Sequence, residues 1–121
     1  MDQPSAPVSL FSYGTLRQPE VQMGTYGRVV GAEEDVLTGH RLVEIVIDDP
    51  HVVSLSGKRL HTIAQPTGDP KDRVTGVVLS LTAAELEATD AYEAAAYARI
   101  EVTLESGRSA FVYVDASSLA R

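Results

Sequence analysis

The chain has 121 residues, a hydrophobic content of 44%, a formal net charge of -7 and no cysteine. Its length and composition predict one globular domain with a single ordinary core. The negative charge argues against nucleic acid and anionic membranes as partners, because both are bound through basic patches. The lack of cysteine excludes disulfides, thiolate catalysis and cysteine-ligated zinc.

The first seven residues contain two prolines and one acidic residue, without a basic or apolar run. This composition does not fit a signal peptide. No uninterrupted apolar run in the sequence reaches the length that spans a bilayer. We therefore expect a flexible tail at 1–7, a single domain at 8–121 and a cytoplasmic location.

A strand-to-helix turn follows the first predicted strand, at Tyr13, Gly14, Thr15 and Leu16. The strand begins at Val8, and Gly14 supplies unusual backbone freedom where it ends. Pro19 suits the first turn of a short helix, which Gly24 is expected to end. Backbone N–H groups at such a turn can hold a carboxylate or carbonyl oxygen. We therefore expect ligand to bind at this turn.

Strand-forming segments separated by turn-forming residues follow along the chain, at 26–30, 37–47, 51–55, 58–64 and 74–81. The acidic stretch 31–35 is expected to be a connection, and 65–72 a loop. A β-hairpin is predicted around Ser56-Gly57. The segment 74–81 is apolar on both faces, as expected for a strand covered on both sides.

The best-marked helix begins at Thr82 and extends to about residue 95. Thr82 and Glu85 form a capping box, in which each side chain accepts a hydrogen bond from a backbone N–H of the first turn. Leu81 and Leu86 lie where a hydrophobic staple fixes the entry of the helix. The alanine-rich sequence has high helix propensity.

Glu93 lies seven residues after Leu86, within roughly 20° of the same helix face. Thr89 and Asp90 share that stripe. A carboxylate on a buried face is costly and commonly responds with a raised pKa. The alternative is a helix that ends earlier, with Glu93 in solvent or capping a neighbouring loop.

The last predicted elements are strands at 99–105 and 108–114, joined by the turn Ser106-Gly107. Alternation leaves open whether Tyr113 faces the core or a pocket. Tyr97 is expected to close the helix, and Arg99 to pair with a carboxylate such as Asp90. Together the elements predict an α+β domain: a twisted, barrel-like sheet with one main helix and a short helix after the first strand.

Three motifs in this order resemble the γ-glutamylcyclotransferase-like (AIG2-like) family. They are the turn Tyr13-Gly14-Thr15-Leu16, the helical Asp90-Ala91-Tyr92-Glu93, and Tyr97-Ala98-Arg99. The resemblance extends from Val8 to Tyr113. One departure is Thr89, where many relatives have leucine, and it leaves a more polar helix face.

The resemblance implies a compact mixed β-barrel with helices and a cavity between the turn and Glu93. It implies that the α-amine of a γ-glutamyl group attacks its own γ-carbonyl, giving 5-oxoproline and a free amine. Tyr13, Gly14, Thr15 and Leu16 would hold the glutamyl group, Glu93 would be the catalytic acid/base, and Tyr113 is placed on the pocket side. This reaction needs no metal or cofactor, and the expected partner is a small γ-glutamyl substrate.

Other sites find weaker support in the sequence. His40, His51 and His61 are spaced too irregularly for a recognisable zinc site. No dinucleotide fingerprint, P-loop lysine or serine-hydrolase motif occurs. Two alternatives remain: a non-catalytic module that binds a small acid in the same cavity, and an enzyme that removes a γ-glutamyl group from a larger metabolite. The leaving amine and the oligomeric state stay open.

Overall fold

A computed structural model describes residues 8–46, 60–92 and 96–118. The predicted tail at 1–7, the turn Ser56-Gly57 and Glu93 lie outside the described residues. The side chain of His61 lies outside them as well. Within the described part, no helix is both long enough and apolar enough to cross a membrane.

The described part contains seven strands, two α-helices and two short 3-10 helices. In chain order they are β1 (Val8–Ser12), a 3-10 helix (Thr15–Arg17), α1 (Pro19–Tyr26), β2 (Ala32–Thr38), β3 (His40–Val46), β4 (Leu60–Pro66), β5 (Arg73–Leu81), α2 (Ala83–Tyr92), β6 (Tyr97–Thr103), β7 (Ser109–Asp115) and a second 3-10 helix (Ala116–Ser118).

These strands form one twisted sheet in the order β2-β5-β1-β7-β4-β3, with β6 paired to β7 outside this path. β1 lies in the middle, antiparallel to β5 and parallel to β7. β7 pairs with β6 along its whole length and with β4 only at Ala64 and Val114. Among the described strands the pairing does not close into a barrel, so the mixed α+β prediction is confirmed with an open sheet.

Each face of the sheet carries its own apolar cluster. One includes Leu10, Leu79 and Leu86, and therefore lies where α2 packs. The other includes Phe11 and Val78, the sequence neighbours of two of these residues. Because successive strand residues point to opposite faces, β1 and β5 are covered on both sides, as the continuous apolar sequence of β5 predicts.

The predicted start of the main helix is confirmed in detail. The Thr82 N–H donates to Glu85 Oε1 over 2.9 Å, and the Glu85 N–H donates to Thr82 Oγ1 over 3.0 Å. Leu81 and Leu86 are both buried in the first cluster, as expected of a hydrophobic staple. The entry of α2 into the fold is therefore fixed by local sequence.

Three predictions between β1 and β3 are wrong. α1 continues through Gly24 to Tyr26 and is capped by Gly27, whose φ of 74° lies in the left-handed region that favours glycine. The strand predicted at 26–30 does not form. The acidic stretch predicted as a connection instead belongs to β2, at one end of the sheet order. Charged side chains are common on such edge strands because they discourage pairing with other chains.

Candidate active site

The predicted binding turn leaves β1 and enters the first 3-10 helix. Gly14 precedes this helix with φ -124° and ψ -145°, so the turn does not use the left-handed region. A Cβ built on Gly14 meets no atom within 4 Å among the described residues. The Gly14 carbonyl accepts hydrogen bonds from Arg17 N and Nε. The turn is thus fixed by its own residues and, as far as the described residues extend, has open space beside Gly14.

The Tyr13 hydroxyl lies at the junction of β4 and β7. It donates to the Tyr113 carbonyl over 2.5 Å and accepts from the Ala64 N–H over 3.0 Å. The residue is 6% exposed. Because β4 and β7 pair at a single position, the phenol supplies hydrogen bonds that a longer ladder would have made.

Leu16 and the segment after α1 are joined by a buried glutamine that sequence reasoning missed. Gln22 Nε2 donates to the Leu16 carbonyl over 2.8 Å, and Gln22 Oε1 accepts from the Val30 N–H over 3.0 Å. Leu16 is 3% exposed as a whole residue, and its side chain belongs to the core. In the sequence, the only indication that Gln22 is buried is its position next to the apolar Val21 in the short helix.

Tyr113 connects β7 to the main helix. Its hydroxyl donates to Asp90 Oδ1 over 2.5 Å, and Arg99 Nη1 donates to Asp90 Oδ2 over 2.8 Å. The Arg99 guanidinium also lies 5.1 Å from the ring centroid of Phe111, within the range of a cation–π interaction. The predicted pairing of Arg99 with Asp90 is confirmed, whereas the bond from Tyr113 to Asp90 was not foreseen.

A side chain of α1 forms a hydrogen bond with one of the polar residues on the inward face of α2. Thr89 is fully buried, and its Oγ1 lies 2.6 Å from the Tyr26 hydroxyl and 2.9 Å from the Glu85 carbonyl oxygen to which it donates. Thr89 thus packs against α1, where leucine would have offered only apolar contact. The sequence predicts a strand at Tyr26, and this contact depends on Tyr26 belonging to α1.

The structure brings three predicted parts of the site together: the turn through Tyr13, the last strand through Tyr113, and the main helix through Asp90. The Tyr13 hydroxyl bonds to the backbone carbonyl of Tyr113, whereas the Tyr113 hydroxyl, in the cluster on the other face of the sheet, bonds to Asp90. Glu93, the predicted acid/base, follows Tyr92 directly in the chain but lies outside the described residues.

Two carboxyl groups outside the predicted site, Glu85 and Asp115, have lowered pKa values and serve the fold. Hydrogen bonds from the Arg28 guanidinium, 2.7 Å away, lower the pKa of Glu85 against the opposing effect of burial. Hydrogen bonds from Ser117 and Gln65 lower the pKa of Asp115. Both groups are held as carboxylates, which suits structural ion pairing and capping.

Among residues 8–46, 60–92 and 96–118, no three histidine or acidic side chains converge as a metal site would require. His40 Nδ1 instead lies 2.9 Å from the Thr38 carbonyl oxygen. A groove of about 420 Å³ lies along β2, β5 and the β6–β7 turn, lined by Glu34, Asp35, Val36, Thr75, Gly76, Glu105 and Ser106. None of the predicted site residues lines this groove.

The domain is of the mixed α+β class: it has an open twisted sheet, two helices, and a turn after β1 whose Tyr13 bonds to the last strand. Residues 10–119 match the model of the family described as gamma-glutamyl cyclotransferase, AIG2-like. The chain belongs to this family, and the resemblance seen in its motifs is confirmed. No curated protein sequence matches the chain.

Solved structures share the fold at low sequence identity. The solution structure of one Arabidopsis thaliana protein has a TM-score of 0.71 and 19% identity, covering 98% of this chain and 67% of that one. A second Arabidopsis thaliana protein gives 0.70 and 23%, covering 96% and 73%. A structure titled gamma-glutamyl cyclotransferase gives 0.66 and 17%, covering 90% and 66%.

Proposed function

We propose that this protein is a γ-glutamyl cyclotransferase-type enzyme that converts a small γ-glutamyl amine or peptide to 5-oxoproline and a free amine. The observation that carries the proposal is the family match over residues 10–119, which includes the Tyr13–Leu16 turn and Glu93. The hydrogen bonds from Tyr13 to Tyr113 and from Tyr113 to Asp90 support it, since they join the turn to the helix that precedes Glu93.

In the proposed reaction the α-amine nitrogen of the substrate attacks its γ-carbonyl carbon. The α-amine is mostly protonated near neutral pH and attacks only as the neutral amine, after one proton has passed to solvent. As the new C–N bond forms, Glu93 takes a further proton from the attacking nitrogen. The new C–N bond closes the ring, the old amide C–N bond breaks, and Glu93 returns the proton to the leaving nitrogen. Atoms balance without water or a cofactor.

In this proposal the turn Tyr13–Leu16 binds the glutamyl group of the substrate. Backbone N–H groups at Gly14, Thr15 and Leu16 would stabilise the oxyanion of the tetrahedral intermediate, at about 3–4 kcal/mol for each well-placed donor. A substrate held folded in this way gains further from proximity. The Tyr13 hydroxyl and the Leu16 side chain are used by the fold, so the backbone is the part of the turn suited to binding.

The test is an assay for 5-oxoproline with a panel of γ-glutamyl amines and peptides. We expect turnover by the wild type and a loss of at least about 100-fold in Glu93→Gln, the usual range for a general acid/base. Glu87→Gln is the matched control, because Glu87 is an exposed carboxylate of the same helix. Absence of turnover with every compound, or full activity of Glu93→Gln, contradicts the proposal.

A Gly14→Ala variant separates binding at the turn from folding. The added methyl group enters open space in the described part of the chain, so we expect a thermal midpoint close to that of the wild type. Turnover should fall because the methyl group occupies space assigned to the substrate. If 5-oxoproline stabilises the wild type more than Gly14→Ala and neither shows turnover, the non-catalytic binding alternative is favoured.

A further inference from the structure

Asp90 joins three elements next to the proposed site. Its two carboxylate oxygens have different partners: Oδ1 accepts from the Tyr113 hydroxyl and Oδ2 accepts from Arg99. Arg99 and Tyr113 face each other in the register of β6 and β7. A single carboxylate on α2 therefore contacts side chains from both strands of the last hairpin.

We propose that Asp90 is a positioning residue of the active site, which orients the Tyr113 hydroxyl toward substrate. This inference rests on the proposed function. The Tyr113 residue is held at two points, because Tyr13 binds its carbonyl and Asp90 binds its hydroxyl. Hydrogen bonds from a hydroxyl to a carboxylate are short and strong, so the bond to Asp90 fixes the phenol firmly.

Asp90 also sets the polarity of the phenol. A tyrosine hydroxyl carries one proton, and Tyr113 donates it to Asp90. Toward any further partner the phenol oxygen can therefore only accept a hydrogen bond. The amine of a γ-glutamyl group is a donor, whereas its carboxylate and carbonyl oxygens are acceptors. Tyr113 is thus suited to the amine end of the substrate, and the backbone N–H groups of the turn are suited to its oxygens.

A purely structural role would leave a different signature. The side chains of Asp90 and Arg99 are 43% and 33% exposed, and exposed ion pairs add little to stability. Asp90→Ala should therefore stay folded, and its effect should appear in the kinetics. Without Asp90 the Tyr113 hydroxyl loses the carboxylate that accepts its proton and can present that proton to the amine end of the substrate, which weakens binding and raises KM.

The experiment is a double-mutant cycle between Asp90→Ala and Tyr113→Phe in the full chain, read as kcat and KM for 5-oxoproline release. We expect each single variant to lose about tenfold in kcat/KM. The double variant should lose no more than the worse single variant, because Asp90 acts through Tyr113. Asp90→Asn keeps an oxygen that accepts from Tyr113 and should recover most of the loss. Glu87→Ala should match the wild type.

The outcomes separate this inference from the proposed function. If the wild type is active and the two losses multiply in the double variant, or if Asp90→Ala lies within twofold of wild type, only the role of Asp90 is overturned. If the wild type is inactive, the reaction is overturned and the cycle is read as thermal stabilisation by 5-oxoproline. Equal loss of that stabilisation in both single variants keeps the inference. A wild type that 5-oxoproline does not stabilise overturns both.

Discussion

The residue Tyr13 shows how one side chain of the binding turn also holds the fold together. Its hydroxyl satisfies the Ala64 N–H and the Tyr113 carbonyl, two backbone groups on strands that share a single paired position. Phenylalanine would keep the ring and leave both groups without this partner. A buried polar group that loses its partner costs about 1–3 kcal/mol.

We therefore expect Tyr13→Phe to lower the free energy of unfolding by about 1–3 kcal/mol, measured by urea denaturation. Tyr26→Phe provides the comparison. It removes the bond to Thr89, but Thr89 keeps its bond to the Glu85 carbonyl, so the loss should be smaller. Equal stability of Tyr13→Phe and wild type would show that the hydroxyl bonds add nothing to the fold.

At the scale of elements, Glu85 joins the start of α2 to the segment after α1. It accepts from the Thr82 N–H within its own helix and forms an ion pair with Arg28. Hydrogen bonding to Arg28 lowers its pKa from the ordinary value of 4.5, with burial opposing. A lowered pKa means that the carboxylate stabilises the native state above pH 4.5, and that this contribution is lost as the pH falls further.

Glu85→Gln should accordingly destabilise the protein near neutral pH by about 0.5–1 kcal/mol, because glutamine keeps the cap but loses the ion pair. The difference from wild type should shrink as the pH falls below 4.5. Urea unfolding at several pH values measures both effects. Glu87→Gln, at an exposed site on the same helix, is the matched control and should give only a small difference from wild type near neutral pH. A Glu85→Gln difference that persists in strong acid would contradict the assignment.

Sequence predicted those elements whose signals are local. The capping box at Thr82 and the hairpin turn Ser106-Gly107 each depend on a few adjacent residues, and both are found. The end of α1 was misplaced because two glycines compete, and only Gly27 has the left-handed backbone that ends a helix. The strand predicted from Tyr26 onward failed because tertiary packing overrode β propensity.

The same division applies to the candidate site. The pair of Asp90 and Arg99 is close in sequence and was predicted. The bond from Tyr13 to Tyr113 joins residues 100 apart, and the bond from Tyr113 to Asp90 requires the packing of α2 on β7. Neither bond follows from the alternation of apolar and polar residues along the last strand. That pattern does not decide whether Tyr113 faces the core or a pocket. Tyr113 is buried, yet it contacts the polar residue of the helix as well as the core.

At the scale of the whole molecule, the β6–β7 turn is tied to β2, the strand at one end of the sheet order. The Glu105 N–H donates to the Val36 carbonyl over 2.9 Å, and the Ser106 hydroxyl donates to Asp35 Oδ2 over 2.5 Å. These contacts join residues about 70 positions apart without a strand ladder. They connect the β6–β7 turn to β2 in a twisted sheet whose strand pairing does not close into a barrel.

Asp35 makes this connection sensitive to acid. Burial would raise its pKa above the ordinary 3.8, but hydrogen bonds from Ser106 and from the Val36 N–H outweigh burial and lower it. The connection is therefore at full strength above pH 3.8 and weakens as the pH falls through the lowered pKa. We expect Ser106→Ala to lower the free energy of unfolding by about 1 kcal/mol at neutral pH, and by less in acid.

Urea unfolding of Ser106→Ala between neutral and acidic pH measures this, with the exposed Ser109→Ala as the matched control. Hydrogen exchange adds a spatial readout, since loss of the connection should increase exchange of the Glu105 amide, which bonds to β2. Protection of the amides inside α2 should not change, because α2 is held elsewhere. Its contacts are those of Glu85 with Arg28 and of Thr89 with Tyr26, and Leu86 packs in the first cluster. Equal loss of protection in both regions would mean that Ser106 stabilises the whole domain and not the junction between its last hairpin and its edge strand.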